Sequence, residues 1–358
     1  MKITEITLTN FRNYTSRKFE FQAEGCLITG RNGVGKTNLL EAICYPAFGK
    51  SVRQFPDSDL INHDATEFML NSKYQDKGKK LTFQIICSKN QKIIRLNKNP
   101  LNRISELYDY LKIVYFSSED IWLINGTRQK RRSFFDQAIT QSSILYSNVL
   151  REYYRILEQR NSILKDVKFA SQLKQWNQQF ISKAIELVEY RSKYLVRFKE
   201  IAETILNEIT DSLESVDIVY DASNNIKYEQ EWLEQYLQKI EEQEFENKRT
   251  LVGPHLDEYE FLINSYSVKR YSSQGQRRSL SIALRFAQIS MIKETLHTNP
   301  IIIFDDALSE LDKVRVDKIM KLLTNEHQIL IASPNIENYR DFQFSVIELE
   351  KGSDDEVK

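Results

Sequence analysis

The N-terminal part of the chain carries the alternation of hydrophobic and polar side chains that is typical of strands. Residues 6–9 and 18–21 alternate strictly, and a period of two places successive side chains on opposite faces of a sheet. Leu81–Ile86 and Lys92–Leu96 flank a short polar turn and predict a hairpin. Two continuous apolar runs towards the other end predict strands buried on both faces, Ile301–Phe304 and Ile329–Ile331.

The middle of the chain has a helical pattern instead. No glycine or proline lies between Gly126 and Gly253, and these residues are the ones that most often interrupt helices. A short strand is predicted at Val216–Tyr220. Apolar side chains recur at steps of mostly three or four, which places them on one helical face: Trp176, Phe180, Ala184, Val188, Leu195, Phe198, Ala202, Ile205 and Ile209. The pattern favours a lobe of long antiparallel helices.

These patterns predict a discontinuous α/β head with an insertion. Residues 1–122 and 250–358 form the head, with a mixed sheet and flanking helices, and residues 123–249 form an inserted α-helical lobe. Hydrophobic residues make up 41% of the 358 residues, which is enough for a core of this size. The 50 Lys and Arg residues balance the 50 Asp and Glu residues, so any contact with nucleic acid requires a local basic patch.

The cysteines and the N-terminus favour a cytoplasmic protein. Cys26, Cys44 and Cys87 have no CxxC spacing and are odd in number, which indicates buried thiols in a reducing compartment. No apolar run reaches the roughly 20 residues of a membrane span, and the first residues lack a secretory pattern. We therefore expect a soluble protein without a membrane partner.

One segment fits the phosphate-binding pattern G-x-x-x-x-G-K-[ST], namely Gly30-Arg31-Asn32-Gly33-Val34-Gly35-Lys36-Thr37. An apolar strand precedes it and a helical pattern follows, as this motif requires. Backbone N–H groups of such a loop surround phosphate oxygens, and the helix N-terminus favours negative charge. Lys36 is predicted to reach the β- and γ-phosphates of ATP, and the Thr37 hydroxyl is predicted to bind Mg²⁺.

An acidic pair follows a predicted core strand. Ile301–Phe304 ends in Asp305-Asp306, and an apolar strand that ends in carboxylates is the Walker B arrangement. We expect Asp305 to hold Mg²⁺ and Asp306 to orient or deprotonate the attacking water. Heads of the ABC and SMC type usually carry Glu at the second position. The shorter Asp306 therefore predicts slow turnover, which suits a timer or clamp better than a motor.

A third motif, S-x-G-Q, occurs at Ser273-Gln274-Gly275-Gln276 and resembles the ABC signature. An apolar-periodic helix follows it, so Ser273, the Gly275 backbone and Gln276 would form a second anion site at a helix start. In ABC-type proteins this turn closes over the γ-phosphate held by the opposite subunit. Ser309-Glu310-Leu311-Asp312 resembles the D-loop between the two subunits. The order of the four motifs indicates an ATPase head of the ABC/SMC type. Two such heads would form an ATP-dependent homodimer that encloses two nucleotides.

Five further segments, spread over essentially the whole chain, resemble the RecF family. The first, Leu8–Tyr14, is similar to the family's L-x-N-F-R-N-Y start. The others are Phe116–Asp120 (F-x-P-E-D), Arg131–Asp136 (R-R-x-F-[LF]-D), Leu251–Glu258 (L-V-G-P-H-R-D-D) and Asp305–Asp312 (D-D-A-L-S-E-L-D). Three residues depart from the family pattern: Ser118 replaces Pro, Leu256 replaces Arg and Glu258 replaces Asp. Ala332-Ser333-Pro334-Asn335 lacks the ABC switch histidine, and whether Ser333 or Asn335 replaces it stays open.

The resemblance implies a DNA replication and repair protein that binds DNA as an ATP-dependent dimeric clamp. It implies recognition of single-stranded and gapped or duplex DNA without sequence preference, and slow, DNA-dependent ATP hydrolysis. It also implies work with RecO and RecR in loading RecA, and a part in the SOS response.

Two basic clusters are candidates for contact with DNA phosphates. One is the run Arg128, Lys130, Arg131 and Arg132, and the other is Lys50 with Arg53, just after the phosphate-loop helix. The alternative interpretation of the basic run, which the residues favour slightly, is a solvated helix start or a set of intramolecular ion pairs.

The motifs leave other functions open. The main alternative is an SMC-like ATPase component of another DNA-processing or defence system. A transporter nucleotide-binding subunit would not need the long helical lobe, and a scaffold that binds ATP without hydrolysing it would tolerate Asp306. The preferred DNA structure, the ATPase rate, the adenine-stacking residue and the partner surface are not determined by these patterns.

Overall fold

The chain folds into two compact units. One is formed by Met1–Asp120 with the residues from Gln288 onward, and the other by Ile121–Ala287. The computed structural model describes residues 1–101, 103–211, 213–222, 225–309, 311–323, 326–334, 337–339, 342 and 344–350. Three parts of the sequence predictions lie outside the described residues: Glu310, Asn335 and the tail 351–358.

The secondary structure alternates between sheet-rich and helix-rich parts. The strands are β1 (Lys2–Phe11), β2 (Tyr14–Glu20), β3 (Gly25–Thr29), β4 (Glu67–Asp76), β5 (Lys79–Ser88), β6 (Lys92–Leu96), β7 (Asn99–Pro100), β8 (Ile113–Ser117), β9 (Val216–Asp221), β10 (Glu258–Ile263), β11 (Tyr266–Ser267), β12 (Ile301–Asp305), β13 (Ile329–Ala332) and β14 (Ser345–Glu348). The helices are α1 (Lys36–Phe48), α2 (Leu107–Tyr110), α3 (Trp122–Asn125), α4 (Arg128–Ser142), α5 (Ile144–Leu164), α6 (Leu173–Thr210), α7 (Gln230–Asn247), α8 (Val268–Tyr271), α9 (Gln274–Leu296) and α10 (Lys313–Leu322).

The first unit contains a parallel and an antiparallel sheet, so the predicted mixture of strand directions is divided between two sheets. The antiparallel sheet has the order β2-β1-β4-β5-β6-β7, and it includes the predicted hairpin as β5 and β6. The parallel sheet has the order β14-β3-β13-β12-β8. Its strands β3, β12 and β13 are buried along their whole length, as their continuous apolar runs predict.

Helix α1 joins the two sheets of the first unit into one core. Leu39, Leu40, Ile43 and Phe48 of this helix are buried together with apolar residues of both sheets. Because the strands β3, β13, β12 and β8 are parallel, their carboxyl ends meet at one edge of the sheet. Ligands of open parallel sheets bind at this edge.

The second unit is built on two long helices, α5 and α6, which run antiparallel. Tyr146 of α5 packs against Tyr190 of α6, whereas Tyr153, further along α5, packs against Phe180, which comes earlier in α6. The predicted periodic residues of α6 are buried or half-buried, which confirms the helical face. The antiparallel lobe is therefore confirmed.

The second unit extends further along the chain than the predicted lobe. Strand β10 pairs with β9, which confirms the short strand predicted at Val216–Tyr220, and β11 completes this sheet. Residues 250–287 consequently lie in the second unit, and the boundary predicted at residue 250 differs from this division. The pairing of β9 with β10 is the physical reason, because it ties the segment after residue 250 to the lobe.

Buried charged groups hold the lobe around the segment 251–258. Arg160 and Glu244 form a fully buried ion pair, and the Arg160 guanidinium also donates to the Thr250 hydroxyl at 2.7 Å. Arg191 pairs with Asp136 at 2.8 Å and donates to the Pro254 carbonyl at 2.8 Å. Such pairs satisfy each other's hydrogen-bonding groups inside the core, and removing one partner would strand the other charge.

No helix in the described part of the chain is long and apolar enough to cross a membrane.

Candidate nucleotide-binding site

The phosphate loop connects the carboxyl end of β3 to the first turn of α1. Gly35 precedes the helix with a φ of 112°, a left-handed conformation that favours glycine. The Lys36 ammonium folds over the loop and donates to the carbonyls of Gly30 at 2.7 Å and Arg31 at 3.0 Å. Burial lowers the pKa of Lys36, and the nearby Asp306 and Asp305 carboxylates oppose that shift.

The N-terminal hairpin fixes this loop from one side. The Asn13 amide donates to the Val34 carbonyl at 3.1 Å, and the Tyr14 hydroxyl donates to the Gly35 carbonyl at 3.1 Å. A Cβ on Gly35 would lie 2.6 Å from the Asn13 amide nitrogen and 2.8 Å from the Tyr14 hydroxyl oxygen. Glycine is therefore required at position 35 for two reasons, the backbone conformation and this close approach.

Asp305 meets Thr37 at the carboxyl edge of the parallel sheet. The Thr37 hydroxyl donates to Asp305 Oδ1 at 2.9 Å, and the Tyr115 hydroxyl donates to Asp305 Oδ2 at 2.6 Å. Burial raises the pKa of Asp305, and the hydrogen bonds from Tyr115 and Thr37 offset part of that shift. The predicted meeting of the Lys-Thr loop and the acidic strand end is thus observed, whereas sequence reasoning missed Tyr115 because nothing local marks it.

The donor set at this edge suits Mg²⁺. Thr37 and Asp305 offer hard oxygen atoms, which magnesium prefers, and only one of these two groups is a carboxylate. No group of three or more His, Cys, Asp or Glu side chains that could hold a metal occurs among the described residues. A magnesium ion here would therefore take its other ligands from phosphate oxygens and water, as is usual for nucleotide sites.

The residues after Asp305 form a tight turn. Asp306 is exposed and has a φ of 53°, a left-handed conformation that Asp and Asn tolerate better than longer side chains. Its carbonyl accepts a 2.9 Å hydrogen bond from the Ser309 hydroxyl, and Asp312 caps α10 by accepting from the Arg315 N–H. The left-handed backbone at Asp306 gives a reason for Asp at this position.

Ser333, which directly follows β13, is 2% exposed.

The S-x-G-Q turn lies in the second unit and forms a reciprocal cap on α9. The Gln276 N–H donates to the Ser273 hydroxyl at 3.2 Å, and the Ser273 N–H donates to the Gln276 side-chain carbonyl at 2.9 Å. Glu214, which precedes β9, accepts a 2.7 Å hydrogen bond from the Gln276 amide. Ser273 and Gly275 remain exposed, so the first turn of α9 is open to a ligand. Sequence reasoning missed Glu214 because it lies 62 residues away.

The basic run at the start of α4 is largely engaged within the chain. Arg131 is 4% exposed and its guanidinium contacts Glu258, while Arg132 donates to the Asp257 carbonyl at 2.7 Å. Arg128 also pairs with Glu258 but stays exposed. Lys130 lies over the Trp122 ring, 5.0 Å from its centroid. These contacts fit the interpretation of the run as intramolecular ion pairs, and the burial of Arg131 withdraws its side chain from contact with DNA.

The second basic cluster is open to solvent. Lys50 and Arg53 are both exposed, and the Arg53 guanidinium lies 5.0 Å from the centroid of the Phe55 ring. Burial raises the pKa of Asp305, and the charge of Arg53 opposes part of that rise, so Arg53 lies within electrostatic range of the phosphate-loop edge.

Comparison with known proteins agrees with this geometry. Residues 2–351 match the profile of the family described as "RecF/RecN/SMC N terminal domain". A protein of Natranaerobius thermophilus named "DNA replication and repair protein RecF" is 34% identical, over 95% of this chain and 92% of its own length. The chain belongs to the RecF family of DNA replication and repair proteins. A RecF of Geobacillus sp. (strain WCH70) is also 34% identical, over 94% of this chain and 93% of its own.

Solved RecF structures have the same fold as this chain. The structure described as the recombination mediator protein RecF-ATP in the RecFOR pathway superimposes with a TM-score of 0.91 at 29% identity, and covers 99% of this chain and 98% of its own. An Smc head domain from Pyrococcus furiosus superimposes with a TM-score of 0.54 at 16% identity, a likeness that concerns the fold alone. The predicted ABC/SMC-type head is therefore confirmed.

Two departures from the RecF pattern have a structural setting. Glu258 lies at the start of β10 and pairs with both Arg128 and Arg131. Ser118 begins a 3-10 turn, in which the Ser117 N–H donates to Asp120 at 3.1 Å.

Proposed function

We propose that this protein binds ATP with Mg²⁺ at the phosphate loop and that two copies then form a clamp on DNA. The hydrogen bond between Thr37 and Asp305 carries this proposal, because it unites a phosphate loop with a carboxylate at the edge where a magnesium–triphosphate complex would bind. Lys36 would bind the β- and γ-phosphates once it leaves the carbonyls of Gly30 and Arg31. The remaining N–H groups of residues 30–35 would surround the phosphate oxygens.

The second copy would complete each nucleotide site with its S-x-G-Q turn. The exposed Ser273 hydroxyl and the backbone N–H groups in the first turn of α9 would form an anion-binding helix end, which suits a γ-phosphate. The turn of one copy would cap the triphosphate held by the other. Dimer formation would therefore depend on bound ATP.

Asp306 would make the dimer slow to hydrolyse ATP. Its exposed carboxylate would orient or deprotonate a water molecule, but its side chain is one methylene shorter than that of the usual Glu. Hydrolysis would then act as a timer that releases the clamp. This weak, DNA-dependent ATPase activity is the enzymatic part of the proposal.

The substrate of the clamp would be single-stranded or gapped DNA, bound without sequence preference. Family membership supports a DNA function, and the exposed cations Lys50, Arg53 and Arg128 could neutralise phosphates. The RecF described in the RecFOR pathway supports partners of the RecO and RecR type, and with them a role in loading RecA and in the SOS response. Such work would be done in the cytoplasm.

The test is the affinity for a labelled gapped duplex, measured by fluorescence anisotropy with and without ATP and Mg²⁺. We expect ATP to tighten binding at least about tenfold, which corresponds to about 1.4 kcal/mol, and Lys36→Met to abolish this effect. An affinity that ATP does not change would contradict the clamp.

A double variant, Lys50→Ala with Arg53→Ala, should lower the slope of log K against log salt by about one for each lost phosphate contact. The matched control is Lys79→Ala with Lys80→Ala, two exposed lysines on β5.

A further inference from the structure

The Asp305 carboxylate is held by hydroxyl groups on both of its oxygen atoms. Thr37 occupies Oδ1 at 2.9 Å, and the Tyr115 hydroxyl donates to Oδ2 at 2.6 Å. An Asp carboxylate rotates in a broad, roughly two-fold torsional well, so one hydrogen bond leaves its plane free to turn. Two donors, one on each oxygen, fix both the plane and the direction of each lone pair.

The parallel sheet places Tyr115 so that its hydroxyl can reach Asp305. In the pairing of β8 with β12, Tyr115 lies opposite Ile303, and Ser117 lies opposite Asp305. Side chains two positions apart on a strand share a face, so Tyr115 and Asp305 are diagonal neighbours on one face. A long aromatic side chain spans this diagonal, and its hydroxyl therefore arrives at the carboxylate.

Both partners lie inside the first unit. Tyr115 is 8% exposed and Asp305 is 7% exposed, so water competes little for their hydrogen bond. The Tyr115 ring belongs to the core that surrounds α1. The phenol is thus an internal support of the carboxylate and does not reach the outside of the site.

We propose that Tyr115 is a positioning residue of the magnesium–nucleotide site. By occupying Oδ2, its hydroxyl turns Oδ1 towards Thr37, where the metal is expected, and holds it there. This inference rests on the proposed function. Hydrogen-bonding partners behind a metal ligand typically change metal affinity or activity about 10- to 100-fold when they are removed.

The test is the concentration of Mg²⁺ that half-saturates ATP binding, measured by calorimetry on the full chain at several magnesium concentrations and in EDTA. Tyr115→Phe keeps the ring in the core and removes only the hydroxyl. We expect it to raise the half-saturating Mg²⁺ concentration about tenfold and to leave ATP affinity in EDTA within about twofold of the wild type.

Two comparisons separate positioning from a general loss of stability. Tyr74→Phe removes a 2.8 Å hydrogen bond to the Ile43 carbonyl from another buried tyrosine of the same core, and it should leave the magnesium dependence unchanged. Asp305→Asn removes the carboxylate that Tyr115 would position. In this background, Tyr115→Phe should therefore change the half-saturating Mg²⁺ concentration by less than about twofold. A full tenfold effect there would show that Tyr115 does not act through Asp305.

An unchanged magnesium dependence in Tyr115→Phe, with a wild type that requires Mg²⁺, would overturn this inference and leave the proposed function intact. A wild type that binds ATP equally well in Mg²⁺ and EDTA would overturn the magnesium site itself, and the role of Tyr115 with it.

Discussion

Thr37 and Asp305 lie 268 positions apart in the chain, yet the Thr37 hydroxyl donates to the Asp305 carboxylate at 2.9 Å. They meet because β3 and β12 are both neighbours of β13 in the parallel sheet and end at the same edge. Thr37 lies in the first turn of the helix that follows β3, and Asp305 is the last residue of β12. The strand order thereby brings the proposed phosphate loop close to the proposed magnesium ligand.

Asp306 offers a test of how the proposed site would hydrolyse ATP. Asp306→Asn keeps the shape of the side chain and tolerates the left-handed backbone at this position, so it removes only the charge. We expect single-turnover hydrolysis to fall by about 10²-fold or more, the usual contribution of a general base, while ATP affinity changes less than about threefold.

The matched control is Asp317→Asn, which removes a carboxylate from α10 and leaves the Asp305-Asp306 pair intact, so this variant should hydrolyse ATP at the wild-type rate. If Asp306→Asn also hydrolysed ATP at that rate, Asp306 would have no part in the chemistry, and a scaffold that binds ATP without using this residue would be favoured.

Glu214 should support the second copy's contribution to the site. Its carboxylate holds the Gln276 amide, and Gln276 in turn holds the Ser273 N–H. Glu214→Ala removes a hydrogen bond worth about 1 kcal/mol, so we expect ATP-dependent dimerisation to weaken about fivefold per site. ATP binding by the monomer should not change, because the phosphate loop belongs to the first unit. Sedimentation with ATP measures the dimer constant.

Glu214→Gln keeps a side-chain carbonyl that can accept from the Gln276 amide, so it should restore most of the dimer affinity. Equal weakening in both variants would mean that the charge, and not the hydrogen bond, matters at this position.

His255 should make the lobe sensitive to acid. The Tyr153 hydroxyl and His255 Nδ1 form a 2.6 Å hydrogen bond, and burial lowers the pKa of His255 to about 4. The unfolded chain takes up a proton as the pH falls below about 6.5, but the folded chain does not until about pH 4. The free energy of unfolding should therefore decrease between pH 6.5 and 4, by up to about 1.4 kcal/mol per pH unit from this residue.

Urea unfolding at pH 7 and pH 5 measures this effect. His255→Gln should reduce the loss of stability between the two pH values, whereas His297→Gln, at an exposed position, should not. The same loss of stability in His255→Gln and in the wild type would exclude His255 as its source.

The sequence predicted those parts of the site that depend on local order, and missed those that depend on pairing between distant segments. Gly30–Thr37 and Asp305 carry their chemistry in short motifs, so their roles could be proposed before their contact was known. Tyr115 and Glu214 have no motif, and only the strand register or the fold of the lobe reveals their partners. Arg131 looked available in a basic run, but it is buried against Glu258, a partner that lies 127 positions away in the chain.

The central claim is that a nucleotide held by one copy is capped by the Ser273 turn of a second copy. Size-exclusion chromatography with light scattering tests it most directly, with and without ATP and Mg²⁺. We predict that ATP doubles the mass of the wild type, and that both Lys36→Met and Ser273→Arg keep the mass of a single chain. A wild-type mass that ATP does not change, or a Ser273→Arg variant that still dimerises with ATP, would contradict the claim.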